Sequence, residues 1–251
     1  MYLKRVGGPC QAKSRTWYSA YTMDKATIPV PIAIIIAGAL IAGAIFLGLY
    51  YSPQKGGADV AKEASPSKIP PVSADDHVVG NPTTATLTLV EYSDLQCPFC
   101  SRFHPTVEQI VKDYGGKVAW AYRQFPLSSI HPEALPAAIA SECVATLKGN
   151  DAFFAFANGI FENQQRIGVS LYHEQAGKLG ISTADLDACI AKADSKTKIQ
   201  DQFNDAVAAG GQGTPFTVIL NKKGETVGII PGALPLEQVK AQIDALLKVV
   251  K

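Results

Sequence analysis

Two cysteines separated by two residues, Cys97-Pro98-Phe99-Cys100, are the side chains of this chain best placed to do chemistry. Thiols at that spacing can pass a disulfide to or from a third sulfur, provided one of them is held as a thiolate. The flanking residues say how. Thr86 to Tyr92 is apolar and β-branched and reads as a strand, whereas Arg102 to Tyr114 carries Phe103, Val107, Ile110 and Val111 at helical spacing. The pair therefore falls where a strand hands over to a helix N-terminus. Unpaired backbone N–H groups and the helix dipole at that point stabilise an anion, which lowers the pKa of Cys97 and makes it a nucleophile near neutral pH; lying nearer the helix N-terminus, it is also expected to be the more exposed of the two. Cys100, one turn along, is placed to resolve a mixed disulfide, and Pro98 suits the first turn because it has no N–H to lose.

Zinc is the non-redox use of such a pair. It needs two further ligands, and although His104 lies one turn beyond Cys100, no second Cys-x-x-Cys or His-x3-His follows, so no metal is expected. His131, beside Pro132, reads as a loop cap or buttress, and His77 and His173 carry no motif.

The elements that must position the pair lie in the C-terminal two thirds of 251 residues. A formal net charge of +1 and the lack of a basic or base-stacking surface argue against nucleic acid. Five cysteines leave at least one outside any internal pairing, and Cys10 is the outlier. Residues 1–27 form an N-terminal segment, and Ile28 to Tyr51 is an uncharged apolar run long enough to span a bilayer. A cleavable signal is the competing reading, but the run is long for one and no A-x-A-like site follows closely. Lys4, Arg5, Lys13, Arg15 and Lys25 precede the run, so the positive-inside rule places the N-terminus in the cytoplasm and the remainder outside; a start at Met23 weakens this orientation without reversing it. Residues 52–82 read as a flexible tether, with a coil reach on the order of 30 Å.

Residues 83–251 then form one folded domain. Lys117 to Phe125 alternates as a second strand, helical tracts cover about 130–209, and Phe216 to Leu220 and Thr226 to Ile230 form a hairpin through Asn221 to Gly224. A helix from Leu236 to Val249 closes the chain. The four tracts of the block are Pro132–Leu147, Ala152–Asn163, Leu171–Leu179 and Ala184–Ala208. The expected order is strand, helix, strand, then the helical block, then two strands and a helix.

Gly80-Asn81-Pro82, Glu91-Tyr92-Ser93-Asp94, the cysteine pair, Phe125-Pro126-Leu127, His131-Pro132 and Gly213-Thr214-Pro215-Phe216 together resemble the DsbA-like thiol:disulfide oxidoreductases. The resemblance runs from about Asp76 to the C-terminus and implies an α/β fold, a thioredoxin-like mixed sheet with an inserted all-helical subdomain. It further implies that Cys97 and Cys100 are catalytic and that Glu91 is a buried carboxylate taking and returning the Cys100 proton; an outward-facing Glu91 on an edge strand is the alternative. It places Pro98, Phe99, Thr214 and a cis Pro215 against an extended client, which would dock by strand addition. For Cys143 and Cys189 it implies a structural disulfide, the alternative being two buried free thiols. No cofactor is implied. The implied activity is an extracytoplasmic oxidase that donates its disulfide to exported proteins and is reoxidised by a membrane quinone-linked partner. A reductase or isomerase on the same fold stays open, because Phe99 is not the imidazole of strongly oxidising members and Thr214 is found in reducing ones. A chaperone-like binding module is the third reading.

Overall fold

In this computed structural model the described residues are 68–192 and 194–250; the N-terminal segment, the apolar run at 28–51 and most of the expected tether lie outside them. The described part builds five strands: β1 (His77–Val79), β2 (Leu87–Ser93), β3 (Val118–Gln124), β4 (Phe216–Asn221) and β5 (Thr226–Ile230). They form one sheet in the order β1-β3-β2-β4-β5. β2 and β3 run parallel, and the other pairs are antiparallel. α1 (Pro98–Asp113) makes the crossover between the parallel pair, as such a pair requires.

Every residue of central β2 is buried, including the polar Thr88, Glu91 and Ser93. Alternation divides it between two cores. Leu87 and Leu89 pack with Phe103, Val107 and Ile110 of α1. Val90 and Tyr92 pack on the opposite face with Ile69, Phe125 and Phe216. Glu91 and Ser93 fall on the α1 side by the same period of two.

Between β3 and β4 lie α2 (Ala134–Lys148), α3 (Asn150–Glu162), a 3-10 turn at Gln164–Arg166, α4 (Val169–Lys178), α5 (Thr183–Lys192) and α6 (Lys196–Ala208). The last expected tract, Ala184–Ala208, is thus two helices. α7 (Leu236–Val249) ends the described chain. Cys143 of α2 and Cys189 of α5 form a disulfide with Cα atoms 5.8 Å apart, stapling the insertion to itself. The β4–β5 hairpin forms as expected: Asn221 Oδ1 accepts the Lys223 and Glu225 N–H groups at 2.9 Å, and Gly224 supplies the positive φ of 76°.

The expected tether boundary at 82 needs correction. Ile69 is only 3% exposed. Arg123 of β3 holds Asp76 through Nε at 2.8 Å and Nη2 at 2.9 Å and donates to the Pro70 and Pro71 carbonyls at 3.1 Å. β1, inside the expected tether, pairs with β3 through His77 and Tyr122. His77 also stacks on Phe153 at 3.6 Å and bonds Glu142 at 3.0 Å. A three-residue strand has too few positions to show a period, and its partners lie far along the chain.

Candidate active site

β2 ends at Ser93, and a tight turn brings Cys97 to the N-cap position of α1 with extended φ and ψ of −73° and 122°. The Asp94 carbonyl accepts the Cys97 N–H at 3.0 Å. Its carboxyl fixes the turn and ties it to the loop after β3: Oδ1 accepts the Gln96 N–H at 2.7 Å, while Oδ2 accepts the Leu127 N–H at 2.9 Å and pairs with His131 Nδ1 at 2.8 Å. Asp94 is 1% exposed, and its carboxyl oxygens are satisfied by its own turn and by the loop that follows β3. His131 is the buttress that its position beside Pro132 predicted. Gln164 Nε2 adds bonds to the Leu95 and Cys97 carbonyls at 2.9 and 3.0 Å, tying the helical insertion to the cysteine turn. Neither Asp94 nor Gln164 stood out as a site residue in the sequence; only the position of Asp94 within the motif was visible.

Both thiols are buried: Cys97 is 3% exposed and Cys100 fully covered. The ordering predicted by helix position holds, but the exposed sulfur expected at Cys97 is corrected to a nearly covered one. The cause is the segment across from it. The Thr214–Pro215 peptide is cis, and the Cys97 thiol donates to the Thr214 carbonyl at 3.4 Å. Beside that peptide, Gly210, Gln212, Gly213, Pro231 and Gly232 complete a shallow recess of about 290 Å³. A larger recess, about 620 Å³, lies between the Pro126–Ser129 loop and α6 and has no cysteine in its lining. Phe99 projects outward, 53% exposed, with the Arg102 guanidinium 4.6 Å from its ring centre.

The two sulfurs differ in acidity. The hydrogen bond from Cys100, helped by the Thr214 side chain and by the backbone N–H groups of Cys100 and Phe99, overcomes partial burial and brings Cys97 down to about 6. Burial, and then the neighbouring Cys97, push Cys100 well above its ordinary value. Glu91 lies on the α1 side of the central strand and is fully buried, so the outward-facing alternative is ruled out. Burial raises its carboxyl to about 7, opposed only weakly by Ser93 and Trp120. His104 is no free ligand: it is buried, bonded to Asn158, and packed against Trp120 and Phe161. Such an arrangement can hold one sulfur as an anion near neutral pH and keep its partner protonated, which is what stepwise thiol–disulfide exchange requires.

Residues 73–245 match the family described as Thioredoxin. The chain belongs to the thioredoxin family. Among solved structures, this thioredoxin-family chain resembles alpha-DsbA1 from Wolbachia pipientis, with a TM-score of 0.63 at 22% identity, covering 71% of this chain and 94% of that one. BdbD from Bacillus subtilis gives a TM-score of 0.61 at 23% identity, over 71% and 96% of the two chains. These likenesses show a DsbA-like fold with its helical insertion. Curated relatives include the Na(+)/H(+) antiporter NhaA 1 of Mycolicibacterium gilvum, 33% identical over 80% of this chain, and that of Mycolicibacterium vanbaalenii, 35% identical over 60%. The chain spans about a third or less of the length of these relatives, 31% and 24%, and antiport is a property named for those longer proteins.

Proposed function

We propose that this chain is an extracytoplasmic thiol:disulfide oxidoreductase that donates the Cys97–Cys100 disulfide to exported proteins. The observation that carries the reading is the acidity split at the helix opening: Cys97 at about 6 beside a Cys100 pushed far up, with the Thr214 carbonyl 3.4 Å from the Cys97 sulfur. In the donating direction a client thiolate attacks the Cys97 sulfur of the enzyme disulfide. The S–S bond to Cys100 breaks, Cys100 leaves with the electron pair, and Glu91, protonated in part near pH 7, supplies its proton. A second client thiolate then attacks the client sulfur of the mixed disulfide, releasing Cys97 as a thiolate and an oxidised client.

Backbone groups flanking Pro215 would dock the client as an added strand, with Pro98 and Phe99 forming the opposite wall. The apolar run at 28–51 supports a membrane tether with the cytoplasmic N-terminus predicted from its flanking charges, and hence reoxidation by a quinone-linked membrane partner. Reduction or isomerisation is the second reading. It is favoured by the exposed phenyl ring of Phe99, which has no N–H to stabilise the thiolate. The redox potential decides: a value near −120 mV, about that of a strong oxidant, supports donation, and one near −270 mV, about that of thioredoxin, supports reduction. Full biological activity in Cys97→Ser would overturn both in favour of a chaperone-like binding role.

A further inference from the structure

Four polar side chains interrupt the otherwise apolar sheet face beneath α1. Glu91 of β2 is flanked by Tyr122 of β3 and Thr217 of β4, and Ser93 follows Glu91 two positions along the same face. All four are fully buried. None of their side-chain oxygens has a hydrogen-bond partner. Orphaned polar atoms are rare in folded proteins, and a cluster of them asks for a chemical reason.

Cys100 lies against this patch. Its sulfur accepts the Asp94 N–H, the amide immediately after Ser93, at 3.4 Å. Burial raises both Glu91 and Cys100, and the Ser93 side chain next to them lowers each in turn, as it does Tyr122. A hydroxyl can accept one hydrogen bond while donating another and turns freely about its C–O bond. A carboxylate can only accept until it is protonated.

We propose that Ser93 is the relay between Glu91 and Cys100, its hydroxyl accepting a proton from one as it passes its own to the other. Tyr122 and Thr217 flank the carboxyl from either side. This assignment rests on the disulfide-exchange reading above. When Cys97 is joined to a client, the Cys100 thiol gives its proton through Ser93 to the Glu91 carboxylate. The Cys100 thiolate attacks the Cys97 sulfur, the Cys97–Cys100 bond forms, the bond to the client breaks, and the client leaves as a thiolate. In the donating direction the same proton returns from Glu91 to Cys100. No external oxidant or reductant enters either step.

The test uses the full chain with Cys97 trapped as a mixed disulfide to a cysteine peptide, following release of the peptide against pH. The wild-type rate should rise through a group titrating at about 7, the value of Glu91. Ser93→Ala should slow release at pH 7 about a hundredfold, the lower part of the range for positioned acid–base groups, and lose that inflection. Glu91→Gln should do the same, and the double variant should be no slower than Glu91→Gln alone, because one path is cut twice. Ser93→Thr against Ser93→Val compares two side chains of one shape that differ in the hydroxyl, so packing cannot mimic the result; Thr should keep the inflection and Val lose it. If Glu91→Gln slows release while Ser93→Ala and Ser93→Val keep the wild-type rate and profile, the proton bypasses Ser93 and the assignment falls. If Glu91→Gln is itself without effect, the Glu91 relay reading falls and the Ser93 assignment with it.

Discussion

Replacing Cys100 with alanine removes the largest single influence on the acidity of Cys97, the hydrogen bond from the second thiol. The backbone N–H groups of the helix opening remain. A hydrogen bond to a charged group is worth about 1.5–3 kcal/mol, and at about 1.36 kcal/mol per pKa unit its loss corresponds to about 1–2 units. The Cys97 midpoint should therefore move from about 6 to between about 7 and 8. The assay is the pH dependence of alkylation of reduced protein, in a Cys10→Ser background so that the thiol outside the site does not react. Stability gives a second reading with a fixed sign. Because the folded pKa lies below the ordinary value of 9.0, the reduced protein gains nothing from this group below about pH 6. Above that the gain grows with pH, to a ceiling on the order of a few kcal/mol near pH 9. The gain is measured against Cys97→Ser by denaturant unfolding, and in Cys100→Ala it should begin only at the higher midpoint. An alkylation midpoint that stays near 6 would refute the reasoning and assign the thiolate to the helix opening alone.

Other expectations follow from buried charge and cross-linking. Glu91→Leu should stabilise the protein at pH 8 by up to about 3 kcal/mol. The folded carboxyl sits at about 7 against an ordinary 4.5, so the wild type loses stability as pH rises between those values; denaturant melts at pH 4 should show the advantage gone. Asp76→Ala should cost about 3–5 kcal/mol by leaving the Arg123 guanidinium buried and unpaired, and limited proteolysis should then open the chain between Lys68 and Asp76. Replacing both Cys143 and Cys189 with alanine should lower stability by roughly 3–4 kcal/mol while leaving the alkylation midpoint of Cys97 unchanged.

The sequence made legible whatever depends on short-range order. β2, the start of α1 and the β4–β5 hairpin are set by alternation, by Pro98 and by Gly224, and all lie where those signals put them. The direction of the Cys97 shift was legible because the helix opening is local, but its largest cause, the hydrogen bond from Cys100, and the help from distant Thr214 were not. What escaped notice is fixed by partners far along the chain. β1 exists because β3 offers it an edge, and Arg123 is tolerated in the interior because Asp76 and two proline carbonyls meet it there. Ser93 looked like an ordinary residue at a strand end; its place beneath Cys100 depends on how α1 packs on the sheet. The near-complete cover over Cys97 is a further case, because it is supplied by Thr214, more than a hundred positions away.

Arg123 also has a mechanical consequence. Its guanidinium grips Pro70, Pro71 and Asp76 and reaches the Tyr92 hydroxyl at 3.1 Å. Tension on the backbone at Lys68 is thus delivered sideways into two inner strands, β2 and β3, instead of peeling the domain from one end. Tyr92 lies opposite Phe216, the neighbour of Pro215, so a load on Pro70, Pro71 or Asp76 bears on the same strand pair that carries the cis peptide.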